Sequence, residues 1–282
     1  MSRPRIKVNS LETPITRHCN LRCAACDHAS SYLRESFLNV ERFERDLRLL
    51  AKAMVAQEFR VVGGEPLQHP ALQSIIDIVR ASGIARRIVL ITNGVLIDKA
   101  PPRLWQSIDK LWLSIYPGVS LGLGLDEIEA RCRDNNVVFE PRPTNQFRLV
   151  LLNNPIEDQA LLDHIYRECK TAHVWKCYTV LNGVFFKCSK ASIMQDRLHQ
   201  LGIEDEEAAN GVTLDAEGDL IERLQVYLDS AEPLSACRFC LGTSGPPMPH
   251  RQQNKRALDA EMTEDHRPLI QRMIRERTAP HR

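Results

Sequence analysis

Thr16-Arg17-His18-Cys19-Asn20-Leu21-Arg22-Cys23-Ala24-Ala25-Cys26-Asp27-His28 sets three cysteines in a Cys-x-x-x-Cys-x-x-Cys loop directly after a strand-like segment, Leu11 to Thr16. Three thiolates from one tight loop hold three irons of a [4Fe–4S] cube and leave the fourth iron open to a substrate or cofactor. A zinc ion with His18 or His28 as its fourth ligand would use the same thiols. The next strand-like segment, Phe59 to Val62, runs into Gly63-Gly64-Glu65-Pro66. A Gly-Gly pair closing a strand lets backbone approach a ligand where a Cβ would collide. The two motifs stand at the spacing of one βα unit.

Working outward, the segment Val40 to Ala56 repeats apolar residues at helical spacing through Phe43, Leu47, Leu50, Ala51 and Met54. Helix then alternates with strand. Ala71 to Ala81 predicts a helix, Arg87 to Thr92 a buried strand ending at Asn93-Gly94, and Pro101 to Ile108 a helix with prolines at its start. Leu111 to Ile115 predicts a strand, Leu125 to Asn135 a helix, Val137 to Glu140 a strand, Asn154 to Cys169 a helix and Val174 to Trp175 a sixth strand. Repeated βα units without hairpin signals give an α/β fold with a parallel sheet and helices outside. Cys19, Gly63, Asn93, Ser114 and Arg142 then fall at or just beyond the C-terminal ends of strands, the rim where such folds bind ligands.

Beyond residue 176 the pattern changes. Cys177 and Cys188 flank two β-rich runs joined by Asn182-Gly183, a strong hairpin signal, so their thiols can approach across the paired strands. Cys237-Arg238-Phe239-Cys240 adds a chelating pair on a turn, and the four cysteines together make a closed site for a cube or for structural zinc. Cys132 matches no motif and reads as a free buried thiol. The acidic stretch 204–207 and the amphipathic run Leu220 to Leu228 read as solvated scaffold. The loop-rich run from Gly242 to Gln253 could close over the barrel mouth and bring His250, Arg251 or Gln252 to substrate.

The cysteine triad followed by Gly-Gly-Glu-Pro resembles the radical S-adenosylmethionine (SAM) superfamily. The resemblance implies a partial (βα)6 TIM barrel over residues 1–176, in which the open iron chelates SAM and an electron from the cube yields a 5′-deoxyadenosyl radical. It assigns Cys19, Cys23 and Cys26 to the cluster, and Gly63, Gly64, Glu65 and Pro66 to the amino group of SAM. Asn93 and Ser114 are similar to segments near the SAM ribose and carboxylate, and Arg142 joins them as a cofactor-binding candidate on the same rim. The second set resembles a twitch domain, the short form of the SPASM extension. It implies a small β-hairpin/helix unit over 177–250 that holds an auxiliary [4Fe–4S] cluster on Cys177, Cys188, Cys237 and Cys240, followed by a helical tail over 251–282. The separation of Cys177 from Cys188 is short for the twitch pattern, which leaves Cys169 as an alternative to Cys177.

From the same resemblance follows an enzyme that removes hydrogen from a small polar substrate, such as a sugar, aminocyclitol or nucleoside, and oxidises it with the auxiliary cluster as electron acceptor. It also implies a reducing partner such as flavodoxin or ferredoxin. Modification of a ribosomal peptide and redox-neutral epimerisation are the enzyme alternatives; a non-catalytic iron–sulfur or zinc binding module is the other. Composition narrows the setting. The 282 residues carry a net charge of +1, which gives no electrostatic footprint for nucleic acid. No apolar stretch nears the roughly 20 residues needed to span a bilayer. The start of the chain leads into no apolar signal region. A cytoplasmic location is expected, and in that reducing compartment most of the nine cysteines are expected to be metal ligands.

Overall fold

The computed structural model describes residues 4–203, 211–215 and 218–278; the acidic stretch 204–207 lies outside them. The chain alternates strand and helix through β1 (Ile6–Pro14), α1 (Val40–Ala53), β2 (Met54–Val62), α2 (Leu72–Ser82), β3 (Ala85–Thr92), α3 (Pro102–Ser107), β4 (Lys110–Ile115), α4 (Leu125–Asp134) and β5 (Val138–Pro143). It continues through β6 (Gln146–Arg148), α5 (Gln159–Glu168), β7 (Tyr178–Leu181), β8 (Val184–Phe186), α6 (Ala191–Gln200), β9 (Gly211–Thr213), α7 (Leu220–Asp229), β10 (Pro247–Pro249), α8 (Lys255–Met262) and α9 (Arg267–Thr278). One sheet runs β5-β4-β3-β2-β1-β7-β8-β9, and β1 to β5 are all parallel. This is an α/β partial barrel. Among the described residues no helix is long and apolar enough to cross a membrane.

Local chemistry explains the helix–strand joints. Asn39 caps α1 by accepting from Arg42 N, and Phe43, Leu47, Leu50 and Ala53 form its buried stripe. The helix stops three residues earlier than its apolar run suggests, because Met54 is already extended and opens β2 without a loop. Phe43 meets Phe59 of β2 edge-on at 6.1 Å, both buried. Burying each such ring contributes about 1.5–3 kcal/mol. Leu11, Val61, Leu90, Leu111 and Leu113 fill the same layer between sheet and helices.

Because successive strand residues face opposite ways, the other set points into the barrel, where charged and polar side chains join Val62, Ile91 and Trp112. Glu12, Arg60, Trp112, Ser114 and Arg142 line a cavity on that side. In register, Glu12 stands opposite Arg60 and Ser114 opposite Arg142. Glu58 pairs with Arg60 (3.3 Å) and Lys110 (3.8 Å), and Glu140 with Lys110 and Arg142, so the charged lumen is cross-linked strand to strand.

The sixth parallel strand is not where the sequence puts it. Thr171–Trp175 forms a wide helical turn ending at Lys176 in the left-handed region, with Val174 and Trp175 exposed. Its β-branched and aromatic residues mimic a strand without a partner to pair with. The sixth strand is β7, which lies beside β1 rather than beyond β5. Asn182 and Gly183, both at positive φ, turn β7 back into β8 as the Asn-Gly signal predicts.

Candidate functional site

The loop after β1 carries Cys19, Cys23 and Cys26, and the Gly-Gly pair is what seats it. Gly64 N donates to Thr16 O (2.7 Å) and Glu65 N to His18 O (2.8 Å), so the end of β2 continues its pairing into the loop. A Cβ on Gly63 would stand 2.5 Å from Thr16 O, and one on Gly64 2.1 Å from His18 O. Both obstacles are backbone and cannot swing away. Gly64→Ala is therefore expected to cost about 3 kcal/mol or more and to displace the cysteine loop, measured as a fall in the denaturant midpoint together with loss of iron bound at the triad.

Glu65 plays a different part from the one its motif suggests. It is fully buried, and its carboxylate accepts from Thr92 Oγ1 (2.6 Å), Asn93 N (2.8 Å) and Leu67 N (3.1 Å). Burial pushes the carboxyl up, and these three bonds pull the other way. Glu65 is thus a strut between the ends of β2 and β3. Neither it nor Pro66 lines the cavity, whereas Gly63, Gly64, Asn93, Ser114 and Arg142 do. Asn93, held through its backbone by Glu65, turns its amide to Asn20 Oδ1 (2.8 Å) and toward Cys19 Sγ (3.9 Å).

The cavity, about 750 Å³, opens at the C-terminal ends of the parallel strands and takes in all three loop cysteines. Burial raises the three thiols, Cys19 to about 11 and Cys26 to about 12. A bound metal reverses that preference by ligating the thiolate outright. The sulfurs are also provided with donors. Gln252 Nε2 donates to Cys23 Sγ (3.2 Å), and His250 Nε2 lies 3.2 Å from the same sulfur. Among the described residues no three His, Cys, Asp or Glu side chains converge on one point where a single ion would sit. A cube does not ask that of its thiolates, since each binds a different iron. The donor set therefore fits the cluster.

The segment around Gln252 reaches the cysteine loop instead of the substrate space expected for it. Ala24 N donates to Arg251 O (3.0 Å), Gln253 N to Arg22 O (2.8 Å) and Arg22 N to Gln252 Oε1 (2.8 Å). From α8, Glu261 accepts from Ala25 N (2.9 Å) and Gln253 Nε2 (2.6 Å) and meets Tyr32 Oη. His250 stacks on Tyr116 with ring centroids 4.5 Å apart. None of the contacts to the cysteine loop, each spanning more than 200 residues of chain, has a signal in the sequence.

A further tie links Asp27, next to Cys26, to Lys190 at the start of α6 (2.6 Å). Burial works against the Asp27 carboxylate, but Lys190 and His28 hold it down at about 2.

The second cysteine set divides. Cys237 packs with Cys169, Tyr166 and Ala172. Burial raises Cys240 well above the usual thiol range, and the charges of Cys237, Cys188 and Cys169 add to it. Gly242 N donates to Cys240 Sγ (3.3 Å), and a Cβ on Gly242 would stand 2.8 Å from Cys169 Sγ. Cys169, Cys188, Cys237 and Cys240 thus share one neighbourhood. Cys177 lines the main cavity with the triad, its thiol raised to about 12 by burial and by Glu12. Cys132 is buried in the main core.

Residues 13–140 match the family model described as the radical SAM superfamily. The match takes in the triad, Gly63 to Pro66, Asn93 and Ser114, and ends before Arg142. A protein of Chlorobaculum tepidum named GTP 3′,8-cyclase is 31% identical over 116 residues, 41% of this chain and 33% of that protein. One of the same name from Actinobacillus succinogenes is 40% identical over 88 residues, 30% of this chain and 26% of that protein. The chain spans about a third of the length of the curated relatives it matches. Among solved structures, BtrN in complex with AdoMet and 2-DOIA is 16% identical with a TM-score of 0.42, over 67% of this chain and 75% of that one. SuiB of Streptococcus suis bound to S-adenosylmethionine is 13% identical with a TM-score of 0.41, over 76% and 65%.

Proposed function

We propose that this chain, whose residues 13–140 form a radical SAM superfamily domain, takes hydrogen from a small polar substrate and oxidises it. When bound, the cluster and SAM supply a 5′-deoxyadenosyl radical. Cys19, Cys23 and Cys26 hold the cluster, and Gln252, His250 and Asn93 steady its sulfurs. Gly63, Gly64, Asn93 and Ser114 offer backbone and amide or hydroxyl groups to SAM along the cavity wall, while Glu65 keeps the ends of β2 and β3 in place behind them.

The observation that carries the substrate class is electrostatic. Arg60, Lys110, Arg142 and Lys190 line the cavity, and each is already paired with a carboxylate: Glu58, Glu58 and Glu140, Glu140, and Asp27 respectively. Binding a nucleoside triphosphate takes several cations whose charge is not already neutralised. This cavity suits a neutral or amine-bearing ring better. The name of the relatives favours a second reading, radical rearrangement of a nucleotide, and the same assay separates the two. Anaerobic reduced protein is offered aminocyclitols, sugars, nucleosides and GTP; the oxidative reading expects 5′-deoxyadenosine formed with a product lighter by two hydrogens. A product isomeric with GTP would replace that reading.

For the second site we propose a closed auxiliary cluster on Cys169, Cys188, Cys237 and Cys240, with Cys177 outside it. A closed cube carries electrons and leaves no iron for substrate. It would therefore serve as acceptor for the substrate radical, with a flavodoxin- or ferredoxin-type donor feeding the first cluster. In this scheme residues 1–176 together with β7 form the barrel, the rest of 177–250 the auxiliary-cluster unit and 251–282 the tail. Anaerobically reconstituted protein is then expected to bind about eight irons, four per cube. Iron near half that value with one equivalent of zinc would make the second site structural.

A further inference from the structure

We infer that Glu12 and Arg60 form a subsite on the cavity wall for a substrate carrying side-by-side hydroxyl or amino groups. The inference rests on the small-polar-substrate reading and gives that substrate a recognisable pattern.

Glu12 sits near the C-terminal end of β1, 7% exposed, and faces the cavity. A carboxylate so buried requires hydrogen bonds or a counter-charge. Its one hydrogen-bond partner among the described residues is Thr179 Oγ1, at 3.5 Å. That hydroxyl has a single proton and a closer acceptor in Cys177 O, at 3.3 Å. Lys190, whose ammonium feels Glu12, is committed to Asp27 at 2.6 Å. Glu12 therefore keeps acceptor capacity that the protein does not fill.

Directly across the β1–β2 ladder stands Arg60. It too lines the cavity, and its guanidinium reaches Glu58 through one terminal nitrogen at 3.3 Å, which leaves the other terminal nitrogen without a hydrogen bond among the described residues. The two side chains occupy adjacent strands on one face yet form no ion pair with each other among the described residues. An unfilled acceptor beside an unfilled donor matches a group that donates and accepts from neighbouring carbons. A vicinal diol and an amino alcohol both do so. A single hydroxyl has only one oxygen with which to donate and accept, and so makes fewer contacts than such a pair.

The test reads binding through tryptophan fluorescence, since Trp112 and Trp175 line the cavity while Trp105 is buried under the helices. Reconstituted protein with SAM is titrated with 2-deoxystreptamine, myo-inositol and cyclohexanol. Either or both polyols are expected to bind and cyclohexanol not to; which polyol binds more tightly distinguishes amino alcohol from diol. Glu12→Gln removes the charge, and Arg60→Lys removes the second terminal nitrogen while keeping the charge that meets Glu58. Each is expected to weaken polyol binding about tenfold or more, with folding checked by circular dichroism. Wild-type protein that binds neither polyol, or binds them as tightly in both folded variants, overturns the subsite. Binding that depends on Glu12 in a protein that never forms 5′-deoxyadenosine supports the subsite and removes the radical reading.

Discussion

Replacing Cys19, Cys23 and Cys26 together by Ala is expected to abolish SAM cleavage and to lower bound iron from about eight to about four per chain. The effect is expected to be all-or-none because, on the proposed assignment, the three thiolates are the protein's whole hold on the first cluster, and among the described residues Cys177 is the only other cysteine lining the cavity. On that assignment the four remaining irons would belong to the second set, packed against α5, α6 and the turn at Ser235–Phe239. Absorbance, iron analysis and 5′-deoxyadenosine assay on one sample give the answer. Any 5′-deoxyadenosine above the unfolded control would remove these cysteines from the reaction.

The second large effect separates two cysteines that the chain places only a few residues apart. Cys169→Ala is expected to lose the auxiliary cluster, leaving about four irons, and with it formation of oxidised product. Cys177→Ala is expected to keep about eight. The reason is the intervening turn. Thr171–Trp175 winds through a wide helical turn and Lys176 reverses the backbone at φ 49, so Cys169 is left beside Cys237 while Cys177 arrives at the cavity wall. The opposite iron counts would return Cys177 to the ligand set. Cys169 also packs against Gly242, so circular dichroism must show that its variant folds before the iron count is interpreted.

Those two cysteines also mark where the sequence stops being legible. The first five strands and the helices between them can be read because each apolar period reflects a single local choice, strand against helix, and the Asn182-Gly183 turn carries its own backbone preference. The triad and Gly63-Gly64 are legible for a similar reason: their spacing is local. β7 was readable as half of a hairpin but not as the neighbour of β1, because the same four residues satisfy both descriptions and only the sheet edge decides. Glu65 looks like a ligand-facing carboxylate until its complete burial is known. Glu12 shares its strand with Lys7, Asn9, Ser10 and Thr13, so its charge gives no signal there, and its shortage of partners is a property of the folded lumen. His250 and Gln252 reach Cys23 from 227 and 229 residues away, and no local pattern encodes that distance.

That long reach sets an order of assembly. Chains fold from the N-terminus as they are synthesised, so the barrel strands can form while residues 250–261 are still unmade. Until those residues arrive, Cys23 lacks the amide of Gln252, Ala24 lacks Arg251 O, and Ala25 lacks Glu261. The first cysteines to leave the ribosome are thus among the last to have their surroundings finished. Iron delivered early would meet an open loop, and the same iron delivered after the C-terminal segment docks would meet one already fastened along its length.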